Sequence, residues 1–467
     1  MAARFVTVDY DTPLMLPPNL RDWVPADHLA HFILDAVEEM NLSQVRVNER
    51  GTGSEQYPPR MLLALLLYCY ATGVFGSRRI EQATTDSVPV RMICGDTHPD
   101  HDTICTFRRE NTALLQESFV RVLELAQALE FLQVGQITVA VDGTKVLANA
   151  SKHASVSYEH AGKSIQQLDL EVKELLAKAE QADSTPLQEG LSIPQEVQRR
   201  QERKAKLAAA RAEIEARAKA RAAAELAEYQ ARLAERKAQE DRGGKPRGPQ
   251  PKAPTQEPRP SDQYNFTDPQ SRIMKAASGQ HFEQSYNAQA AVEVQSRLIV
   301  GERVSQAPND KQELVPTVAA IAQPVESVAA VLADSGFYSQ AAVAKVEQTK
   351  LGQPSGTTVY AALEKKGHHR TVNDLEQKPE PSLPGPAACA NEIMKHRLQT
   401  TEGKAKYKLR QQTVEPVFGI IKSVLGFRQF LLRGVEKVSL EWELVCLAYN
   451  LKRLHRMGAG LKIAAQG

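Results

Sequence analysis

Long apolar runs are missing from this chain of 467 residues. The longest, Met61–Tyr70, holds ten residues, far short of the roughly 20 that a membrane-spanning helix needs. The N-terminal stretch MAARFVTVDYDTPLMLPPN has no apolar core after Arg4, so it does not have the form of a signal peptide. Cysteine is scarce: Cys69, Cys94, Cys105, Cys389 and Cys446 are odd in number, scattered and without a C-x-x-C pair. That excludes a disulfide framework and fits a reducing compartment. Net charge is also small, +2 in formal terms, so any contact with a polyanion has to come from local basic patches. The expectation is a soluble, cytoplasmic protein with no membrane partner.

A hydrophobic fraction of 42% supports true cores, and the length suggests two to four units. Residues 1–125 read as helical. Asp27–Met40 and Pro59–Thr72 carry apolar spacing suited to buried helices. SRRIEQATTDSVPVRMICG follows a Gly-containing break, and HPDHDTICTFRREN opens another helix with Asp102 or Thr103 as its cap. Short helices joined by tight turns and bearing Arg78, Arg79, Arg91, Arg108 and Arg109 suggest a DNA-binding helix-turn-helix array, against the plainer reading of a helical domain with solvated arginines. Residues 126–162 contain the β-branched run QITVAVD. Residues 163–261 form a distinct segment, rich in Ala, Arg, Lys and Glu, that predicts long helices or a helical hairpin with a thin apolar seam, closed by the linker GGKPRGPQPKAPTQEPRP. Globular patterning returns over 262–467. SYNAQAAVEV and SRLIVGERVS predict strands, SVAAVLAD a buried strand, SQAAVAKVEQTK a helix and TTVYAAL a strand. Residues 365–386 read as a loop, and the C-terminal stretches predict a helix around YKLRQQTVEPVFGIIKSVLG and an amphipathic last helix. With the insertion set apart, the order is that of a mixed α/β sheet whose acids stand at strand ends, where ligand sites of open sheets collect.

Two acids follow apolar strands directly: Asp142 in VAVDGT and Asp334 in VLADSG. An acid ending a buried strand is costly to ionise unless a cation neutralises it. One such Asp is as often a turn former bonded to nearby N–H groups. Two on separate strands, with a third acid on a late helix, point to a site for hard divalent cations, which take oxygen ligands. Two such ions about 4 Å apart clamp the attacking and leaving oxygens of a phosphoryl transfer. The third acid is Glu415. Pro416 after it suits a helix's first turn. Lys422, at i+7, falls on the same helical face. The alternative is a surface Glu near a helix start with an unrelated Lys.

The segment YKLRQQTVEPVFGIIK resembles the Tyr, Arg, Glu, Lys signature of bacterial insertion-sequence DDE transposases, with Tyr407, Arg410, Glu415 and Lys422 at its positions. The gap from Glu415 to Lys422 matches that signature, while four residues separate Arg410 from Glu415, one more than its usual form. VAVDGTKV and VLADSGFYS resemble the family's first two acidic blocks, and RQFLLRG with the final NLKRL helix resembles its end. The resemblance covers nearly the whole chain and is weakest over the Ala/Arg/Lys helices. It implies an RNase H-like catalytic domain in which Asp142, Asp334 and Glu415 bind Mg²⁺ or Mn²⁺, two ions in all. It implies that Lys422 and Arg410 hold phosphates, that Tyr407 packs on or bonds to DNA, and that Arg78, Arg79, Arg108 and Arg109 contribute to DNA binding. The implied partners are double-stranded DNA, as terminal inverted repeats and target, and a second copy of the chain on that DNA. The implied place is the nucleoid. A metal-dependent nuclease of the same fold and a DNA-binding or coiled-coil scaffold are the competing readings.

Other signals point elsewhere. Cys94, His98, His101 and Cys105 are zinc-ligand types at very compact spacing. Asp310 with Glu313 matches a helix capping box and does not end an apolar strand. The clustered Asp96, Asp100 and Asp102 lack a catalytic strand, His368–His369 sits in a polar loop, and Trp442 is expected in the core.

Overall fold

The computed structural model describes residues 19–46, 55–133, 135–180, 192–241, 249–276, 279–325, 327–349, 352–364, 380–385 and 388–460. His368 and His369, and most of the expected loop 365–386, lie outside them. The chain divides into two compact units, one made of Met1–Leu147 with Tyr286–Gly467, the other of Ala148–Ser285.

The first unit opens with six helices: α1 (Leu29–Glu38), α2 (Pro59–Thr72), α3 (Ser77–Asp86), α4 (Val88–Ile93), α5 (His101–Glu110) and α6 (Thr112–Ala128). Pro59 starts α2 where its missing N–H costs nothing, and Leu62 to Ala71 are all buried. Gly73 ends α2 at φ +88°, and a Cβ there would lie 2.7 Å from the Leu425 carbonyl oxygen, so both conformation and space call for glycine. The cap of α5 is Asp100, whose carboxylate accepts from Thr103 N at 2.7 Å, two residues before Asp102 and three before Thr103, the caps expected from sequence. No single described helix is long and apolar enough to cross a membrane.

The sheet of this unit runs β6-β5-β1-β7-β8, with β1 at Gln136–Leu147, β5 at Phe282–Glu293, β6 at Ile299–Ser305, β7 at Ser327–Ala333 and β8 at Thr358–Ala361. β6 pairs antiparallel with β5, whereas β7 is parallel to β1 and β8 is parallel to β7. The result is the mixed α/β, RNase H-like arrangement expected from sequence. Val139, Ala140 and Val141 of β1 and Ala330–Ala333 of β7 are fully buried, as central strands covered on both faces require. β1 does not end at its Asp. It continues five residues beyond Asp142 to Leu147, whose N–H donates to Arg428 O at 3.1 Å and whose carbonyl accepts from Phe430 N at 2.8 Å. β7, by contrast, stops directly before Asp334.

Helices α9 (Leu314–Ala319) and α10 (Gln340–Glu347) follow β6 and β7, and α11 (Ala390–Gln399) leads into α12 (Thr401–Gly419). The last helix, α13 (Val435–Arg456), was expected to be amphipathic. It is instead buried continuously from Leu440 to Leu451, because it packs on β6 on one side and on α2 and α6 on others. Trp442 is fully buried and donates from Nε1 to Gln289 O at 3.0 Å.

The second unit contains α7 (Tyr158–Glu180) and α8 (Ile193–Asp241). Their partners run in opposite senses: Tyr158 with Arg211 and Glu215, Asp169 with Lys204, Glu171 with Arg200. The two helices are therefore an antiparallel hairpin. Its seam is thin and built from Ala161, Leu168, Leu207 and Ala210, with Val156 from the short strand β2 (Ser155–Ser157). β2 pairs with β3 (Gln263–Asn265), and β4 (Arg272–Lys275) pairs with residues 282–285 of β5. Arg221 grips Asp262 through both terminal nitrogens, at 3.2 and 3.0 Å, and so ties the returning chain to α8.

Candidate active site

Asp142 is held in β1 with its Oδ1 accepting from its own neighbour's amide, Gly143 N, at 2.8 Å. Its Oδ2 accepts from Arg410 Nη1 at 3.3 Å. The other terminal nitrogen of Arg410, Nη2, donates to Glu415 Oε1 at 3.3 Å. One guanidinium thus joins the first and third expected acids. Arg410 can do this because it lies five residues before Glu415 on α12, and α12 packs against β1. Its Nε is buried without a hydrogen-bond partner among the described residues.

Asp334, at the end of β7, accepts from Gly336 N at 2.6 Å in a local turn. It is near enough to Asp142 and Tyr407 to disfavour charge on both. Burial pushes the Asp142 carboxyl up to about 7, Arg410 opposes that shift, and Asp334 and Asp310 add to it. Tyr407, one turn before Arg410, also has its hydroxyl pKa raised by burial and then by Asp334 and Asp142, against Arg410. Arg410 thus touches both Asp142 and Glu415, and Asp334 acts on Asp142 and Tyr407, the groups coming from β1, the end of β7 and α12.

Lys422 behaves differently. Pro416 lies inside α12, not in its first turn, since the helix begins at Thr401. The helix then widens into a π-turn over Ile420–Val424, where Leu425 N bonds to Ile420 O at 2.8 Å. An i+5 turn shifts the register of everything after it. Lys422 Nζ donates to Lys145 O of β1 at 2.6 Å, and burial followed by Arg428 lowers its pKa. Lys422 is thus anchored to β1, the strand that also carries Asp142.

Arg78, Arg79 and Arg109 are exposed, on the first turn of α3 and the last of α5. Arg108 is not. It is buried and donates to Tyr70 Oη at 2.8 Å, Phe75 O at 3.1 Å and Ser77 Oγ at 3.4 Å. Tyr70 in turn donates to Glu441 Oε1 at 3.3 Å, and Glu441 Oε2 accepts from Leu431 N and Leu432 N. Arg108 is therefore corrected from a DNA-facing residue to an internal counter-charge for a buried Glu. The zinc-type spacing also has other uses: His98 bonds Thr84, His101 bonds Glu81, and Cys94 is buried.

Asn287, Gln289 and Asp310 were not recognised from sequence as site residues, yet they border Asp142. Asn287 Nδ2 and Gln289 Nε2 donate to Asp310 Oδ1 at 2.8 and 2.7 Å. The capping-box expectation for Asp310 fails, because α9 starts at Leu314 with Glu313 as N-cap and no side-chain cap. Glu313 turns to Ser305 Oγ at 2.7 Å and to Arg303. The usable signal was N-x-Q on β5, two polar side chains on one face of a buried strand.

Among the described residues, no three His, Cys, Asp or Glu side chains stand close enough together to cage an ion as they are. The donor set nevertheless fits a hard divalent cation. All its donors are carboxylate oxygens, and a cationic group, the Arg410 guanidinium, already stands between two of them.

The Transposase DDE domain family matches residues 385–455, which include Tyr407, Arg410, Glu415 and Lys422. The Transposase domain (DUF772) family matches residues 18–110, which include Arg78, Arg79, Arg108 and Arg109. No curated protein and no solved structure matches the chain.

Proposed function

Because this chain is a DDE transposase of the insertion-sequence type, we propose that it binds the terminal inverted repeats of its element, cleaves there and joins the ends to target DNA. The observation that carries this reading is the Arg410 bridge between Asp142 and Glu415, with Asp334 in electrostatic range. Asp142, Asp334 and Glu415 would hold Mg²⁺ or Mn²⁺, as two ions. The bound metal would supply Lewis-acid stabilisation of the attacking and leaving oxygens at a phosphodiester.

The chain's own groups divide the remaining work. Asp142 has to lose its proton before it can ligate, which Arg410 favours by its charge. Arg410 would offer a phosphate oxygen one of its terminal nitrogens, which now rest on Asp142 and Glu415. Tyr407, half-buried next to Arg410, borders the scissile region. Lys422 braces β1 through Lys145 O and so steadies the strand that carries Asp142. The exposed Arg78, Arg79 and Arg109 of the N-terminal helices supply backbone contacts to the repeat DNA. Unit Ala148–Ser285 is an insertion between the first and second acids, and two copies of the chain act on paired ends. Its place of action is the cytoplasm, on nucleoid DNA.

The test is a set of full-length variants, Asp142→Asn, Asp334→Asn and Glu415→Gln. Each is expected to lose cleavage of a repeat-end substrate and joining of a pre-cleaved end to plasmid DNA, by 10²-fold or more on the order seen for a lost electrostatic group. Each is expected to retain repeat-end binding in a mobility-shift assay. If Asp334→Asn still excises, the acid assignment is wrong. If the wild-type chain cleaves but never joins, it is a nuclease of this fold.

A further inference from the structure

Asp310 has left the helix it precedes and lies among the acids of the site. A Cβ at Gly143, next to Asp142, would stand 2.5 Å from Asp310 Oδ1, 2.2 Å from Gln289 Nε2 and 2.8 Å from Asn287 Oδ1. A Cβ at Gly336, two residues after Asp334, would stand 2.9 Å from Asp334 Oδ1 and 3.9 Å from Asp310 Cβ. The small residue after each of the two strand acids thus makes room for a third Asp beside both. Asp310 is close enough to Asp142 to disfavour its charge.

The way Asp310 is held also matters. Both of its hydrogen bonds fall on Oδ1, and both come from neutral amides. Among the described residues no cationic side chain pairs with it and nothing bonds its Oδ2. Asn287 and Gln289 are two apart on β5, so they rise from the same face. Gln289 is completely buried, and its Oε1 has no hydrogen-bond partner among the described residues. A buried carbonyl oxygen without a donor costs about 1–3 kcal/mol. Such an atom beside an uncompensated carboxylate suits a place where a hydrated cation brings both the charge and the missing donor.

We propose that Asp310 is a fourth carboxylate of this site, an additional oxygen ligand for the divalent cation, with Asn287 and Gln289 as its positioning residues. The inference rests on the metal-dependent reading of Asp142, Asp334 and Glu415 and adds a ligand that the three-acid set does not contain. Asp310 approaches from the loop after β6, so this loop becomes part of the metal site. Gln289 lies under it and accepts from Trp442 through its backbone carbonyl, which couples the site to the last helix.

The experiment is Mn²⁺ titration of the full-length protein, with free Mn²⁺ followed by its electron paramagnetic resonance signal. Asp310→Asn keeps an acceptor oxygen for both amides but places an NH₂ where the second oxygen was. It is expected to bind Mn²⁺ about 10–100-fold more weakly, the range typical of lost site support around a metal, with little change in metal-free Tm. Gln289→Met, of similar volume, is expected to weaken binding several-fold and gives a second reading if Asp310→Asn folds poorly. Wild-type affinity in both variants, with Asp142→Asn binding no Mn²⁺, overturns the role of Asp310 alone. Wild-type affinity in Asp142→Asn as well overturns the metal reading of the whole site.

Discussion

Arg410 and Asp142 set the electrostatics of the site between them. Asp142 is held up at about 7 by burial, against its ordinary 3.8, so the folded chain keeps a proton there that the unfolded chain releases. Between those two values the folded state binds more protons, and stability therefore falls as pH rises, until the loss is complete above about 7. Glu443, pushed by burial from 4.5 to about 8, acts in the same direction and extends the window upward. In EDTA, Tm is expected to decline from about pH 4 to about pH 8. Asp142→Asn should remove its share of the decline, which lies between about 4 and 7, and Glu443→Gln its share, which reaches 8, so each variant should show a shallower profile than the wild type. A flat Tm profile would contradict this. Arg108 offers a second test at this scale. Arg108→Met strips the buried Tyr70–Glu441 pair of its counter-charge and is expected to lower stability by roughly 3 kcal/mol in denaturant unfolding.

Helix α12 illustrates how an element delivers several groups at once. Its N-terminus is fixed against α11: a Cβ at Gly403 would stand 1.8 Å from the Arg397 carbonyl oxygen, and Thr400 caps the helix by accepting from Gly403 N at 3.0 Å. Arg397 itself donates to Val359 O of β8 and pairs with Glu347 of α10. The approach is thus backbone against backbone and cannot be relieved by a rotamer change. Gly403→Ala is expected to push α12 off its seat, with about 1–3 kcal/mol lost in unfolding measurements. Cleavage should drop with it, because Tyr407, Arg410 and Glu415 move as one. Unchanged stability would mean that the junction opens freely. Further along, Pro416 removes an N–H from the helix interior and the π-turn follows within four residues. Lys422, within that turn, bonds to Lys145 O of β1.

At the scale of the whole molecule, charge is nearly balanced at +2, so affinity for DNA has to arise from a few exposed cations. Arg78 and Arg79 are exposed and available for such contacts, whereas Arg108 is spent internally. Arg78→Ala and Arg79→Ala are expected to leave stability within about 0.5 kcal/mol. Each should weaken binding to all sequences alike and reduce the slope of log affinity against log salt by about 1. An unchanged salt slope in the double variant would remove the first turn of α3 from the DNA surface.

Local pattern was enough for much of this protein. Buried β-branched runs marked β1 and β7, and Ala-, Arg- and Glu-rich stretches marked the hairpin of α7 and α8. Both are properties of neighbours in sequence, which strand alternation and helix propensity express directly. The same holds for the candidate acids Asp142, Asp334 and Glu415, each flagged by the residues adjoining it. What sequence could not decide depended on partners far along the chain. That Arg108 turns inward depends on Tyr70 and Glu441, and that Lys422 turns to β1 depends on Lys145, far back along the chain. Asp310 resembled a helix cap because capping is a local geometry, but its carboxylate is claimed by two amides 21 and 23 residues earlier. Only the sheet, by setting β5 beside β1, brings those amides, Gly143 and the acids to one point, since hydrogen bonds between strands carry no signature within either strand alone.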